Sequence, residues 1–129
     1  PLVGFAPQAA QAADEIVIGE VNSYTRLPAF TEPYKKGWQL AVEQINAAGG
    51  IDGKQLKVIS RDDTGDPATA IRIAEELVSK DGAVLIFGPF LSNIGLAVSD
   101  FAKQKEVLFI ASEPLSDAIV RSKGNKFTY

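Results

Sequence analysis

Apolar and polar residues follow two different rhythms along this chain, and each rhythm predicts a different kind of element. Short runs rich in β-branched and apolar residues predict strands. Between these runs, apolar residues recur at steps of three and four, which predicts amphipathic helices. The predicted strands are IVIGEV (16–21), QLKVISRDD (55–63), AVLIFG (83–88), VLFIAS (107–112) and the opening of KFTY (126–129). The predicted helices cover 34–48, the segment after Asp66-Pro67, 93–104, and a short stretch from Glu113-Pro114.

This alternation of strands and helices predicts an α/β fold. Parallel strands need long crossover connections, so the order favours a doubly wound, Rossmann-like parallel sheet with helices on both faces. The third strand, 83–88, is apolar throughout, as expected for a strand that is covered on both faces. A length of 129 residues with 46% hydrophobic composition suits one globular domain with its own core.

Composition excludes several function classes. The chain has no cysteine and no histidine, so disulfides, thiol nucleophiles, Ser-His-Asp triads and Cys/His zinc sites are absent. The net charge is −3 without a basic cluster, which gives no footprint for nucleic acid. The segment GEVNSYTRLPAF after the first strand lacks a phosphate-binding glycine pattern. We therefore expect no cofactor and no metal, and we interpret Asp62-Asp63 as solvated acids that begin a loop.

The start of the chain has the pattern of a targeting segment. PLVGFAPQAAQAADEI is apolar and then alanine-rich, with Ala10-Gln11-Ala12 shortly before two acids. Such an A-x-A pattern after an apolar run is typical of the end of a secretory signal peptide. We predict a residual leader at 1–13, a domain at 14–129, and export to the periplasm. The alternative is a flexible Ala/Gln leader with no targeting role.

The third strand leads into a candidate binding site. In open α/β sheets, ligands bind outside the carboxyl ends of the strands, where loops enter helices. The stretch LIFGPFLSNIG places Ser92 and Asn93 there, at the predicted head of a helix. Unpaired backbone N–H groups and the helix dipole favour a carboxylate or another small polar head group at such a corner. The alternative is that Ser92 only caps the helix.

A longer pattern resembles a known family. The segment EPYKKGWQLAVEQINAAGGIDGKQLKVISRDDTGDPATAIRIAEELV (32–78), followed by Gly88-Pro89 and a serine three residues later, resembles type I periplasmic solute-binding proteins. The closest group is the leucine/isoleucine/valine-binding proteins of ABC transporters. The resemblance implies a two-lobed protein that closes on a solute. It also implies that this chain is an N-terminal lobe that ends before the hinge and the second lobe.

The resemblance also implies roles for individual residues. Ser92 matches the serine that binds the ligand carboxylate, and Phe30 matches an aromatic residue beside the ligand side chain. The loop after VLFIA, which begins with Ser112 and Glu113, matches a ligand-contacting segment. Glu113 departs from the pattern of amino-acid binders, because its charge would oppose a bound carboxylate unless it is protonated or paired. Its alternative role is to favour a helix start before proline. Tyr24 is a further candidate for the pocket wall, together with Arg26.

Three function classes follow from these features. The first is a non-enzymatic lobe that captures a small polar solute, such as an amino acid, an aromatic or organic acid, or an amide, for an ABC permease. The second is the ligand-sensing domain of a chemoreceptor or regulator on the same fold, and the third is a small α/β enzyme. The expected partners are the solute, the permease and a C-terminal lobe of the same protein. Exposed strand groups near 127–129 also predict self-association of this chain.

Overall fold

The computed structural model describes residues 14–129, and the leader predicted at 1–13 lies outside them. Helices and strands alternate as the sequence predicts, so the α/β fold class is confirmed. Among the described residues, no helix is both long and apolar enough for a membrane span. The elements are β1 Glu15–Asn22, α1 Pro28–Ala47, β2 Gln55–Asp62, α2 Pro67–Ser79, β3 Leu85–Gly88, α3 Ser92–Lys105, β4 Leu108–Ala111 and a short 3₁₀ helix at Asp117–Ile119.

The strands form one parallel sheet in the order β2-β1-β3-β4. The strand predicted at 126–129 begins as a parallel bridge between Thr128 and Phe109 at the β4 side of this sheet. The sequence order of the strands reverses direction between β1 and β3. A parallel sheet opens a crevice at such a point, beyond the carboxyl ends of the two strands.

One face of the sheet carries the hydrophobic core and is covered by α2 and α3. Gly19 of β1 lets this layer pack closely, because a Cβ atom there would lie 2.8 Å from Ile86 Cδ1 and 2.9 Å from Leu77 Cδ1. Ile86 belongs to β3 and Leu77 to α2, so this close packing joins β1, β3 and α2 and fixes the carboxyl ends of the two strands. The buried core residues are Val21, Ala70, Ile73, Ala74, Leu77, Ala83, Ile86, Ile94, Val98, Phe101, Ala102, Val107 and Phe109.

The opposite face is covered by α1 alone, and the cover is incomplete. Of the residues in α1, only Thr31 is fully buried. A cavity of about 260 Å³ lies between α1 and the sheet. Leu108 and Ile110 of β4 remain 38% and 40% exposed. Helices therefore cover both faces as predicted, but unequally. The cavity is lined by Ile18, Trp38, Ala41, Val42, Ile45, Leu56, Val58, Leu85, Phe87 and Ile110.

Helix α1 begins six residues earlier than the predicted start at Tyr34. The two prolines of LPAFTEP favour a loop in the sequence, but Pro28 occupies the first helical turn, where a missing N–H costs nothing. Pro33 is accommodated inside the helix. Phe30 consequently lies in the first turn of α1 and not at the end of a loop.

Helix α2 begins as predicted, but the set of its residues that faces the core differs from the predicted set. The Asp66 carboxylate accepts a hydrogen bond of 2.7 Å from the N–H of Thr69, and this bond lowers the pKa of Asp66. The spacing of Ile71, Ala74, Leu77 and Val78 predicts that these residues face the core. Ile71 is instead 39% exposed, while Ala70 and Ile73 are buried. The spacing of four residues also predicts an outward pair between Glu76 and Lys80, but Glu76 instead pairs with Arg72 at 3.0 Å.

No helix starts at Glu113-Pro114, contrary to the prediction, and the short 3₁₀ helix begins only at Asp117. Hydrogen bonds join the intervening loop to two other elements. The Glu113 carboxylate accepts a hydrogen bond from the Asn22 side chain, and the N–H of Ser116 donates to the Ser92 hydroxyl. These bonds to β1 and α3 hold residues 113–116 in a non-helical path.

Candidate functional site

Three loops meet at the carboxyl ends of β1, β3 and β4. We define the crevice as the end of β1 together with residues 89–92 and 112–116. Gly88 draws these loops together: its φ is +100°, and a Cβ atom there would overlap the carbonyl oxygen of Val21. The N–H of Ser112 donates to the carbonyl oxygen of Gly88 over 3.2 Å, which joins the loops after β3 and β4.

Helix α3 enters the crevice without a capping side chain. Leu91 occupies its N-cap position and makes no side-chain hydrogen bond. Within residues 14–129, the N–H groups of Ser92, Asn93 and Ile94 have no hydrogen-bond partner, and the first bonded N–H is that of Gly95. By contrast, the start of α2 is capped by a carboxylate. The positive end of α3 is therefore left open to a ligand.

Ser92 is the first residue of α3 and not its N-cap, so the interpretation of Ser92 as a cap is wrong. Its half-buried hydroxyl accepts a hydrogen bond of 3.2 Å from the N–H of Ser116. Because the hydroxyl oxygen accepts this bond, its own proton remains available for a ligand acceptor. Asn93 is exposed one residue further along, on the first turn of the same helix.

An aromatic pair stands beside this helix end. The rings of Phe30 and Phe90 stack with their centroids 5.0 Å apart and an interplanar angle of 26°. Phe30 is 57% exposed, so the pair presents a flat apolar surface to solvent. Sequence reasoning identified Phe30 but missed Phe90, although its place in the turn directly after β3 was an available signal.

Asn22 and Glu113 link the loops. Asn22 is fully buried at the end of β1, and its Oδ1 accepts hydrogen bonds from the N–H of Ser23 at 2.9 Å and of Phe90 at 3.0 Å. Its Nδ2 donates to Glu113 over 2.5 Å. Burial raises the pKa of Glu113, and the Asn22 bond opposes this change. Asn22 was also missed, although an amide at the end of the first strand marks the ligand edge of an α/β sheet.

The exposed hydroxyl of Ser112 is engaged by helix α1. Its Oγ lies 2.8 Å from the hydroxyl oxygen of Tyr34, in a hydrogen bond that either group can donate. Burial raises the pKa of Tyr34, so this phenol stays neutral. The contact fixes the start of α1 against the loop after β4, on the side of the crevice where Phe30 lies.

Tyr24 points away from the crevice residues and toward the layer between α1 and the sheet. Its hydroxyl donates to Glu20 Oε1 over 3.0 Å and accepts a hydrogen bond of 3.3 Å from Trp38 Nε1. The Lys35 ammonium lies 4.8 Å from the centroid of the Tyr24 ring. The structure thus brings together Phe30, Ser92, Ser112 and Glu113, while Tyr24 belongs to a neighbouring network.

Glu20 is the centre of that network. It is fully buried on β1, and its Oε2 accepts a hydrogen bond of 2.6 Å from the Ser60 hydroxyl. Burial raises the pKa of Glu20 to about 7, although hydrogen bonds from Ser60 and Tyr24 favour the charged form. The carboxylate of Glu113 adds a further repulsion that also raises this pKa.

The sequence predicts that both acids at the end of β2 are solvated, and for Asp63 this prediction is wrong. Asp63 is fully buried and accepts hydrogen bonds from the Ser23 hydroxyl at 2.6 Å and the N–H of Gly65 at 2.8 Å. The chain folds back over it because Thr64 and Gly65 adopt positive φ values of 56° and 81°. Burial raises the pKa of Asp63. Asp62 is partly exposed and accepts a hydrogen bond from the N–H of Thr64. The two acids therefore stabilise a turn.

Comparison with known proteins shows the family to which this chain belongs. A family profile described as periplasmic binding protein matches residues 16–128. An "Amino acid binding protein" of Pseudomonas aeruginosa is 35% identical over 100 residues, covering 77% of this chain and 27% of the relative. The leucine-, isoleucine-, valine-, threonine- and alanine-binding protein of the same organism is 32% identical and covers 99% of this chain and 34% of the relative.

A solved structure has the same fold. The branched-chain amino acid transporter substrate binding protein LivJ from Streptococcus pneumoniae, in complex with isoleucine, superposes with a TM-score of 0.82 at 31% identity. The match covers 90% of this chain and 33% of that structure. The chain thus spans about a third of the length of the proteins that it matches. It belongs to the periplasmic binding protein family.

Proposed function

We propose that this chain is the N-terminal lobe of an extracytoplasmic substrate-binding protein that captures a small polar solute for an ABC importer. Residues 1–13 would be the remainder of a leader that directs export to the periplasm. The partners would be a second lobe of the same protein and the membrane permease. The lobe would bind its solute without chemical turnover. Relatives that bind amino acids, together with a structural neighbour that holds isoleucine, support this proposal.

The observation that carries the proposal is the uncapped start of α3. The N–H groups of Ser92, Asn93 and Ile94, which have no partner within residues 14–129, would donate hydrogen bonds to an oxygen of the solute head group. The free proton of the Ser92 hydroxyl would add one more hydrogen bond. A helix end of this kind favours a partial or full negative charge on its ligand.

The remaining candidate residues would form the walls of the site. The stacked Phe30–Phe90 pair would contact the apolar part of the solute, and Ser112 with Glu113 would border its head group. Tyr24 would act indirectly, because its hydroxyl is bonded to Glu20 and Trp38. Closure of a second lobe over these walls would then bury the solute. Since one lobe offers only half of such a cleft, this chain would bind weakly by itself.

A titration followed by two-dimensional ¹H–¹⁵N NMR tests the proposal. Leucine and benzamide, added to millimolar concentration, should shift the amide signals of residues 92–94. Ser92→Ala should weaken binding by about fivefold, because a hydrogen bond is worth about 1 kcal/mol. Ser79→Ala removes an exposed hydroxyl at the end of α2 and should leave the affinity unchanged. Absence of shifts at 92–94 with every probe would refute the proposed site.

A further inference from the structure

Glu113 occupies a fixed position at the edge of the crevice. Its partner Asn22 is fully buried, and Asn22 Oδ1 already accepts the N–H groups of Ser23 and Phe90. Rotating this amide by 180° would break both bonds, so Nδ2 must face Glu113. The Glu113 carboxylate is therefore held by a donor that cannot turn away, and Oε2 accepts this bond over 2.5 Å. No hydrogen bond from residues 14–129 reaches its other oxygen, Oε1.

The residues that the structure describes do not neutralise the charge of Glu113. Within residues 14–129, no lysine or arginine nitrogen lies within 4.0 Å of its carboxylate. The charge of Glu113 also repels Glu20, another acid, and contributes to the raised pKa of that residue. A second carboxylate in this crevice would meet an uncompensated negative charge, which disfavours its ionised form.

The loop that carries Glu113 also reaches the open end of α3. Ser116, three residues further along, donates its N–H to the Ser92 hydroxyl over 3.2 Å. Phe90, whose N–H is bonded to Asn22, lies two residues before Ser92 and stacks on Phe30. A solute whose oxygen lies at α3 and whose apolar part lies on the Phe30–Phe90 pair would place the rest of its head group beside Glu113.

We propose that Glu113 selects solutes by requiring an N–H donor beside the oxygen acceptor of the head group. Carboxamides and amino acids carry such a donor, so they satisfy α3 and Glu113 together. A simple carboxylate offers only acceptors and leaves Glu113 facing a like charge. This inference rests on the proposed function. It adds that Glu113 discriminates between classes of ligand, which the N–H groups of α3 alone would not do.

Benzamide and benzoate test the inference, because they have the same shape and differ mainly in an N–H donor and a charge. The chain should bind benzamide at least about tenfold more tightly than benzoate at pH 7.5, with amide shifts at 92–94 in the NMR titration. Glu113→Gln keeps an acceptor for Asn22 and adds an N–H donor. The variant should reduce the preference to about one. Glu43→Gln makes the same charge change on the exposed side of α1 and should keep the wild-type preference.

Three outcomes are distinguishable. A preference for benzamide that disappears in Glu113→Gln, but not in Glu43→Gln, supports the inference. Binding of both probes at residues 92–94 with the same preference in all three proteins overturns the role of Glu113 while the proposed function stands. If neither probe shifts residues 92–94 in any protein, the proposed function fails and this inference fails with it.

Discussion

Glu20 places a carboxyl group inside the domain, where an apolar residue would be the ordinary choice for a central strand. Its two oxygens accept hydrogen bonds from Tyr24 and Ser60, and within residues 14–129 no cation pairs with it. Burial of a carboxylate favours its neutral form, which explains a pKa of about 7 for this group. The network fastens α1 to the sheet on the face that is otherwise loosely packed.

Stability should depend on pH through Glu20. Its pKa is about 7 in the folded chain against an ordinary 4.5, so the folded state binds a proton more tightly than the unfolded state. The resulting stabilisation is complete below pH 4.5 and is lost as pH rises through 7. We expect the free energy of unfolding in urea to fall by about 3 kcal/mol between pH 4.5 and pH 8, since one pKa unit corresponds to about 1.4 kcal/mol.

Glu20→Gln should remove most of this loss, because glutamine has no proton to release. Glu113 and Asp63 also have raised pKa values and will leave a smaller slope of the same sign. Glu43→Gln, an exposed change on α1, serves as the control. Equal losses of stability in wild type and Glu20→Gln would show that the buried carboxyl is not the titrating group.

Local patterns in the sequence predicted the elements better than the site. β-branched runs marked the four strands, and Asp66-Pro67 marked the start of α2, because these signals act between near neighbours. The bonds that build the crevice act between distant residues: Asn22 bonds Glu113 and Phe90 across 91 and 68 positions. Contacts between such distant residues produce no periodic pattern in the sequence. Asn22 and Phe90 were therefore not identified as members of the candidate site.

Among the elements, β3 depends most on a single glycine. Gly88 ends this strand with φ +100°, and a side chain there would overlap the backbone of Val21 in β1. Since backbone cannot move aside as a flexible side chain can, the close approach of β3 to β1 requires glycine. The entry of the chain into the crevice and into α3 depends on this contact.

Gly88→Ala should therefore lower the free energy of unfolding by more than about 2 kcal/mol, as measured by urea denaturation. Gly37→Ala provides the matched control, because Gly37 lies within α1 and nothing lies within 4 Å of an added Cβ atom. Alanine at that position should stabilise the chain by about 0.5–1 kcal/mol through its higher helix propensity. A tolerated Gly88→Ala would show that the strands can separate without loss.

At the scale of the whole molecule, the two faces of the sheet differ in how completely they are covered. The α2–α3 face is closed, whereas α1 leaves a cavity and the exposed side chains of Leu108 and Ile110 on the other face. Apolar surface of this kind is favourably buried against a second molecule at high concentration. Sequence reasoning predicted self-association from the strand edge near 127–129, and this sheet face adds a second cause.

Light scattering should show that the average mass of this chain increases with concentration. Leu108→Lys should reduce the increase, because it places a charge on the exposed sheet face while leaving the core on the opposite face intact. Leu115→Lys makes the same change at a residue that is 92% exposed outside that face, and it should associate as the wild type does. Equal masses for all three proteins at every concentration would contradict the assignment of this surface.

The uncapped start of α3 has a consequence for how such a domain can change over evolutionary time. Main-chain amides are supplied by every residue except proline, so replacing the exposed Asn93 by another residue that is not proline would leave the proposed main-chain contacts to a solute oxygen intact. Replacements at Phe30, Phe90 or Glu113 would instead change which solute the proposed site prefers. A few such replacements could change the ligand preference of the proposed site without altering the fold.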